Sequence, residues 1–311
     1  MFRSFSRRVI LWGLLAIITV PGQAAVSAAQ TAGPPDVVVT VKPLHALVAA
    51  VMGDVGSPHL LVSGAANPHA FALKPSDARA LSSAELVVWV GPQLEAFLEK
   101  PLAALADKAT ILTLARVQTV RNLPARQGGS WAKADGETAL DRFDGHIWLD
   151  PLNAQAIVAV VADELARLDP ARAATYRANA KAVRMRLDAL HRELDGMLAP
   201  VRSRPFIVFH DAYRHLEERY GLNAVGSLTV SPERRPGAAR LAELRARIQE
   251  LGAVCVFSEP QFEASLVRTL VEGTTARTGI LDPEGANLPS GPELYATLLR
   301  QNAQALVDCL G

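Results

Sequence analysis

Short apolar runs alternate with amphipathic segments along most of this chain. The runs lack a two-residue alternation of apolar and polar positions, which is typical of strands buried on both faces of a sheet. Helix-like segments between them predict parallel sheets covered on both sides, an α/β fold. The predicted strands are 37–41, 59–62, 85–90, 206–209, 254–257 and 276–281. The predicted helices are 44–52, 76–81, 92–105, 211–220, 238–251, 262–273 and 292–310, with a further helix that opens at Pro151 after Asp150 as its N-cap.

One segment in the middle of the chain, residues 170–198, has the pattern of a long helix. It is rich in alanine, arginine, leucine and glutamate, and Val183, Leu187, Leu190 and Leu194 recur at three- and four-residue intervals. That spacing predicts one buried stripe. A helix of about 28 residues is roughly 42 Å long, so it predicts a rigid backbone between two lobes. A coiled-coil arm is the competing interpretation, although the heptad pattern is brief.

The N-terminus has the pattern of a signal peptide. Basic residues precede an apolar run at 9–20, and Val26-Ser27-Ala28 fits a small-x-small cleavage site. A membrane anchor is the alternative, but the run is short for crossing a bilayer. We therefore predict an exported, periplasmic protein that is soluble after cleavage. The predicted organisation is a signal peptide at 1–28, an N-terminal lobe at 29–168, a linking helix at 169–200 and a C-terminal lobe at 201–311.

Composition narrows the class of partner. Lysine and arginine number 32 against 31 aspartates and glutamates, a formal net charge of +1. This balance gives no reason to expect nucleic acid as a partner. Aromatic residues make up 5% of the chain, which also argues against base stacking. Half of the residues are hydrophobic, enough for two sizeable cores.

Four potential metal ligands stand beside strand-like runs. They are His69, His146, His210 and Asp282. His69, His210 and Asp282 fall at the carboxyl ends of predicted parallel strands, where ligands bind in such sheets. Three imidazoles and a carboxylate are a suitable set for Zn²⁺ in tetrahedral geometry. Since two candidates lie in each half of the chain, a metal held by all four would sit between two lobes.

Each candidate also has an ordinary interpretation. A single histidine is more often a hydrogen-bonded core or surface residue than a ligand. Asp282 precedes Pro283 and could simply cap a turn, and Asp211 is expected to cap a helix or support His210. Spacing alone does not show that the four candidates converge. The remaining histidines are expected to have no ligand role: His45, His59, His191 and His215.

Two further features concern the cysteines and one loop. An exported protein with two cysteines favours a disulfide between Cys255 and Cys309, with two buried free thiols as the alternative. Closing a loop of about 55 residues would contribute about 4 kcal/mol to stability in the chain-entropy model.

Residues 117–144 contain Pro124 and scattered charges with little periodicity, which predicts a mobile surface loop.

Several motifs resemble a known family. They include Asn67-Pro68-His69, Gly145-His146-Ile147-Trp148-Leu149-Asp150-Pro151, Phe209-His210-Asp211-Ala212-Tyr213, Ser258-Glu259-Pro260-Gln261-Phe262 and Leu281-Asp282-Pro283. They are similar to motifs of the cluster A-I (cluster 9) metal-binding proteins of ABC importers, and most of all to the zinc-specific periplasmic members. The resemblance extends over nearly the whole mature chain.

The resemblance implies a fold, a ligand and a partner. The fold is two Rossmann-like lobes bridged by a rigid helix, with Zn²⁺ in the cleft between them for delivery to an ABC permease. His69 and His146 would bind from the first lobe and His210 from the second, with Asp282 or a water completing the coordination. Manganese-selective relatives typically have a carboxylate at the position of His210, so histidine favours zinc. The cysteine pair of the family matches Cys255 and Cys309.

The chain departs from the family pattern in two places. The loop that is rich in histidine in many zinc members corresponds to residues 117–144, which contain no histidine. Some members have an acidic residue where this chain has Pro68. Two alternatives stay open: a manganese or iron binder of the same fold, and a zinc hydrolase. There is no HExxH helix, so we expect a binding protein rather than an enzyme. We also expect the protein to be a monomer.

Overall fold

The computed structural model describes most of the chain. The described residues are 1–2, 33–126, 131, 143–229, 237–252, 254–262 and 265–311. The predicted signal peptide at 1–28 lies outside them apart from its first two residues, and so does most of the predicted loop at 117–144. Among the described helices, none is both long enough and apolar enough to cross a membrane.

Four strands of the first half form one parallel sheet. They pair in the order β2-β1-β3-β4. The two central strands consist almost entirely of buried valine and leucine, whereas the edge strands are partly exposed. Continuous apolar runs form the centre because helices cover the sheet on both faces. The strands are β1 Val37–Val39, β2 His59–Leu60, β3 Leu86–Trp89 and β4 Thr110–Thr113.

The second half repeats the arrangement. Its four parallel strands pair in the order β6-β5-β7-β8, the same pattern as in the first sheet. The strands are β5 Pro205–His210, β6 Asn223–Thr229, β7 Cys255–Ser258 and β8 Arg277–Ile280. The predicted α/β class with two parallel sheets is therefore confirmed. By their contacts, residues 33–311 cluster as one unit, and the division into lobes at 29–168 and 201–311 stays a prediction.

The long helix is confirmed and lies at the centre of the helical packing. It has 26 residues, and the first predicted turn, Pro170–Arg172, is a 3₁₀ turn. The predicted stripe is buried, and the helix contacts α1 and α4 of the first half and α9 of the second half. The helices are α1 Lys42–Met52, α2 Pro75–Ser83, α3 Glu99–Leu105, α4 Pro151–Leu168, α5 Ala173–Leu198, α6 Arg214–Tyr220, α7 Ala238–Leu251, α8 Ser265–Val271 and α9 Leu294–Leu310.

Two edge strands were not predicted. β4 contains two threonines around Ile111, which is 36% exposed, and β6 contains asparagine, glycine, serine and threonine. An edge strand is half covered, so it needs no continuous apolar run, and its sequence resembles a loop. The helix predicted at 211–220 begins only at Arg214, without a side-chain cap. Asp150 does cap α4 as predicted, accepting a hydrogen bond from Leu152 N at 2.9 Å.

A disulfide joins the second sheet to the last helix. Cys255 at the start of β7 is bonded to Cys309 near the end of α9, with the Cα atoms 6.1 Å apart. Both residues are buried. The pairing is confirmed, and the alternative of two free thiols is not needed.

Replacement of both cysteines by alanine should destabilise the protein. The bond closes a loop with a sequence separation of 54 residues, and losing that constraint on the unfolded chain is worth about 4 kcal/mol. Urea unfolding of the metal-free protein should show a clearly lower midpoint for Cys255→Ala with Cys309→Ala. A reductant should lower the midpoint of the unmodified protein but not that of the double variant. Equal midpoints for the oxidised protein and the variant would contradict a stabilising role.

Candidate metal centre

His69 stands in a short turn after β2. The turn Pro68–Ala70 begins with proline, and the Asn67 side chain caps it by accepting a hydrogen bond from His69 N at 2.9 Å. A side-chain oxygen before Pro at the first helical position is a common way to start a helix. The ring nitrogen Nε2 of His69 is buried and has no hydrogen-bond partner. This nitrogen is therefore free to bind a metal ion.

His146 is fixed from behind by a carboxylate. Its Nδ1 lies 2.7 Å from Asp144 Oδ1, and its backbone N–H donates to the same oxygen at 3.0 Å. The preceding Gly145 packs closely, because a Cβ there would lie 3.0 Å from the Cβ of Leu94. After His146 the chain turns directly into α4, and the Trp148 indole donates to Pro283 O at 2.8 Å in the second half.

His210 is the last residue of β5 and is fixed in the same way. Its Nδ1 lies 2.7 and 2.8 Å from the two oxygens of Glu259, which directly follows β7. β5 and β7 are neighbours in the sheet, and their crossover connections run to opposite sides. Ligand sites in parallel sheets form at such switch points, outside the carboxyl ends of the strands.

The three imidazoles converge. Their ring centroids are 5.1 to 5.9 Å apart. Nε2 of His210 lies 3.3 Å from Nε2 of His146, and one nitrogen of each ring lies within 4.8 Å of the others. The structure thus brings together the three predicted histidines, two from the first half of the chain and one from the second.

The arrangement calls for a cation. A carboxylate beside each Nδ1 of His146 and His210 favours a proton on that nitrogen, which leaves a lone pair on each Nε2. These two nitrogens lie 3.3 Å apart, so a proton or a metal ion between them would be shared by both rings. Zn–N bonds of about 2.0–2.1 Å in tetrahedral geometry place neighbouring nitrogens about 3.3 Å apart. The 3.3 Å between Nε2 of His146 and Nε2 of His210 fits such an ion.

Electrostatics differ between the rings. Burial, together with the neighbouring imidazoles His146 and His210, lowers the pKa of His69 well below 6.5, so this ring is a neutral base at neutral pH. Burial also acts to lower the pKa of His210, but the charge and hydrogen bond of Glu259 outweigh it and raise that pKa. Burial opposes ionisation of Asp144, yet contact with His146 lowers its pKa overall.

Asp282 lies outside the imidazole group. One carboxylate oxygen accepts from Glu284 N at 3.0 Å, Gly285 N at 2.9 Å and Gln261 Nε2 at 3.2 Å, and the other from Ala286 N at 2.7 Å. These contacts are those of a turn cap, the ordinary interpretation of an Asp-Pro pair. A ligand role for Asp282 stays a prediction.

A buried lysine from the first half holds the same loop. Lys42, at the start of α1, donates from Nζ to Gly285 O, to Ala286 O at 3.1 Å and to Leu288 O at 2.7 Å. Burial lowers the pKa of Lys42, with Asp282 opposing. The loop after Asp282 is therefore fixed from its own half by a carboxylate and from the other half by an ammonium group.

The other predicted residues have separate partners. Asp211 caps no helix and instead accepts from Arg126 at 2.9 Å. Burial raises the pKa of Asp211 to about 6, with Arg126 opposing. The remaining four histidines do not belong to the converging group. His45 contacts Pro58 O, and His59 contacts Asp77. His191 contacts the Tyr220 hydroxyl, and His215 contacts Asn153 and Asp144 O.

Sequence reasoning did not assign the two carboxylates that orient the rings. For Asp144 a signal existed, because a carboxylate two residues before a candidate ligand is within reach of its ring. Glu259 follows a predicted strand, but only the pairing of β5 with β7 shows that it faces His210. The contact of Arg126 with Asp211 likewise depends on tertiary structure.

Comparisons with known proteins find relatives and similar folds along most of the chain. The family model ZnuA, "Zinc-uptake complex component A periplasmic", matches residues 37–309. The high-affinity zinc uptake system protein ZnuA of Brucella abortus (strain 2308) is 45% identical over 304 residues, 88% of this chain and 91% of that protein. A crystal structure of ZnuA has a TM-score of 0.75 at 27% identity, covering 89% of this chain and 99% of that one. A zinc-bound ZnuA deletion mutant has a TM-score of 0.74 at 27% identity, with 89% and 98% covered.

Substitution of Glu259 should change the titration of His210. With Glu259→Gln the attraction for a proton is lost while burial remains, so the pKa of His210 should fall from above to below about 6.5. Histidine resonances followed by NMR in the metal-free protein measure this directly. The exposed Asp308→Asn change is the control and should leave His210 unaffected. An unchanged pKa in Glu259→Gln would show that Glu259 does not control this ring.

Proposed function

This chain belongs to the ZnuA family of periplasmic zinc-uptake components, and we propose that His69, His146 and His210 bind its zinc ion. It is the periplasmic zinc-binding component of a zinc uptake system, so its partner is a membrane permease. The observation that carries the assignment of ligands is the convergence of three imidazole nitrogens, two of them held 3.3 Å apart.

The donor set suits zinc better than the harder divalent metals. All three converging atoms are imidazole nitrogens, which a borderline-soft d¹⁰ ion accepts readily. Manganese prefers oxygen donors. Here the nearby carboxylates Asp144 and Glu259 contact ring nitrogens instead of the space between the rings. This supports zinc over a manganese- or iron-binding member of the same fold.

A water molecule is the simplest fourth ligand. The carboxylate of Asp282 already accepts four hydrogen bonds, and turning it toward the rings would break them. Water leaves one coordination position that is easily exchanged, which suits a protein that must give up its zinc. In this proposal Asp282 and Lys42 shape the loop beside the site rather than bind the ion.

The family is one of solute-binding transport proteins, and we propose that the site has no catalytic role. Three histidines and an open position also describe catalytic zinc, which needs a general base near the bound water. Asp144 and Glu259 each contact a ring nitrogen, and we assign them to orienting His146 and His210 rather than to activating water. The zinc therefore serves as cargo.

All three proposed ligands come from one chain, so a monomer suffices for binding. His69 and His146 belong to the predicted lobe at 29–168, and His210 belongs to the predicted lobe at 201–311. A site shared in this way can bind zinc when the lobes approach and release it when they separate. Transfer to the permease would use that movement.

Removing one proposed ligand should weaken zinc binding strongly. His210→Ala should lower the affinity by at least about 100-fold, more than the 10- to 100-fold typical of losing a residue that only orients a ligand. Calorimetric titration of metal-free protein at neutral pH measures the change. His191→Ala is the matched control, since that ring contacts the Tyr220 hydroxyl and should change affinity by less than about twofold. Equal effects of both substitutions would contradict the assignment.

Zinc affinity should fall at acid pH. The ligands bind as neutral bases, and the pKa of His210 is raised whereas that of His69 is lowered, so His210 is expected to gain a proton before His69 as the pH decreases. For one displaced proton the apparent affinity falls about tenfold per pH unit below that pKa. In Glu259→Gln the decline should begin at lower pH. Competition titrations with a chelator of known affinity between pH 8 and pH 5 test this, and an affinity independent of pH would refute it.

A further inference from the structure

Arg126 joins the two halves of the chain close to the proposed zinc site. Its guanidinium donates to Asp211 Oδ1 at 2.9 Å and to Glu217 Oε2 on α6. The guanidinium carbon also lies 3.9 Å from the centre of the Trp131 ring. Only 16% of the Arg126 side chain is exposed, so these contacts are largely shielded from water.

The segment that contains Arg126 is also attached to His146. Leu123 O accepts a hydrogen bond from Asp144 N at 2.9 Å, and the Asp144 carboxylate holds the His146 ring. The stretch from Leu123 to Arg126 thus connects Asp144, which orients His146, to Asp211, which follows His210. The contacts of this stretch therefore bridge two of the three proposed ligands.

The charges make this connection difficult to open. Glu217 is buried, and burial raises its pKa to about 7, with Arg126 opposing. Without Arg126, Glu217 would either take up a proton or remain as an unpaired buried charge, and both outcomes are unfavourable compared with the ion pair. Separating the two halves here would take Arg126 away from Glu217 and Asp211 together.

A second ion pair between the same elements provides a contrast. Arg121 approaches Glu218 of α6 at 3.6 Å, but the two side chains are 47% and 44% exposed. Exposed pairs of this kind contribute little because water and salt screen them. Arg121 lies in the same segment as Arg126 and has the same charge, and its partner is next to Glu217. It is therefore a matched control.

We propose that Arg126 is a positioning residue that slows zinc release by clamping residues 123–126 to Asp211 and α6. The proposal rests on zinc binding by the three imidazoles. Zinc cannot leave quickly while His146 and His210 stay together, and the clamp keeps the chain behind them together. Arg126 itself does not touch the ion.

Zinc release from the loaded full-length mature protein tests the clamp. Mixing with an excess of a chromogenic chelator in a stopped-flow instrument gives the dissociation rate. Arg126→Ala should raise this rate at least about tenfold, because changes of affinity between related complexes appear mainly in dissociation. Arg121→Ala should change it by less than about twofold. Equal rates in these two variants and the unmodified protein would overturn the clamp.

A second variant and a second measurement separate positioning from folding. Arg126→Lys keeps the charge but lacks the planar fork that reaches two carboxylates, so its rate should lie between those of the unmodified protein and Arg126→Ala. If Arg126→Ala fails to fold, a rate in Arg126→Lys equal to that of the unmodified protein would overturn the proposal. A lower thermal midpoint of metal-free Arg126→Ala with an unchanged release rate would show a structural role only, and also overturn it.

The outcomes distinguish the clamp from the zinc site itself. Tight zinc binding by the unmodified protein with unchanged release in both Arg126 variants would remove the clamp and leave the proposed function. An unmodified protein that binds no zinc would overturn both. Faster release in Arg126→Ala, an intermediate rate in Arg126→Lys and no change in Arg121→Ala would support the clamp.

Discussion

Two carboxylate–imidazole contacts determine the character of the metal centre. Asp144 holds His146 and Glu259 holds His210, each through Nδ1, so that both Nε2 atoms present lone pairs to the same space. The buried Nε2 of His69, which has no hydrogen-bond partner, belongs to the same group of rings. The proposed site thus presents three nitrogen donors to one space, an arrangement that suits zinc as cargo.

The two sheets explain how such distant residues meet. Both have the same strand order, and their carboxyl-end loops carry the residues that matter for the site. His210 and Glu259 follow neighbouring strands, so one strand supplies the proposed ligand and the next supplies the carboxylate that orients it. The loops are held by contacts between the halves, including Lys42 to the loop at 285–288 and Trp148 to Pro283. Contacts of this kind reduce the freedom of the loops around the proposed ligands, which limits the ordering that binding requires.

Contacts that join the two halves help to retain zinc, whereas release of zinc requires some of these contacts to open. Helix α5 packs against elements of both halves and acts as a stiff connection, whereas the charged contacts of Arg126 lie close to the site. The buried contacts of Lys42 with backbone carbonyls and the charged contacts of Arg126 are two separate links between the halves. Full separation of the halves would have to break both links, so both oppose the release of zinc from a site shared between the halves.

The sequence by itself determined the α/β class, the central strands and the long helix, since apolar runs and helical spacing are local properties, and the family resemblance of its motifs singled out three histidines as candidate ligands. It also indicated the disulfide. It did not reveal β4 and β6, because edge strands need no continuous apolar run. Nor could it assign Glu259 to His210 or Arg126 to Glu217, since those pairs depend on which strands and loops become neighbours. For Asp282, the dipeptide Asp-Pro favoured a turn cap and the family resemblance offered a ligand role, and the tertiary structure gave its carboxylate four hydrogen-bond donors because the loop folds around it.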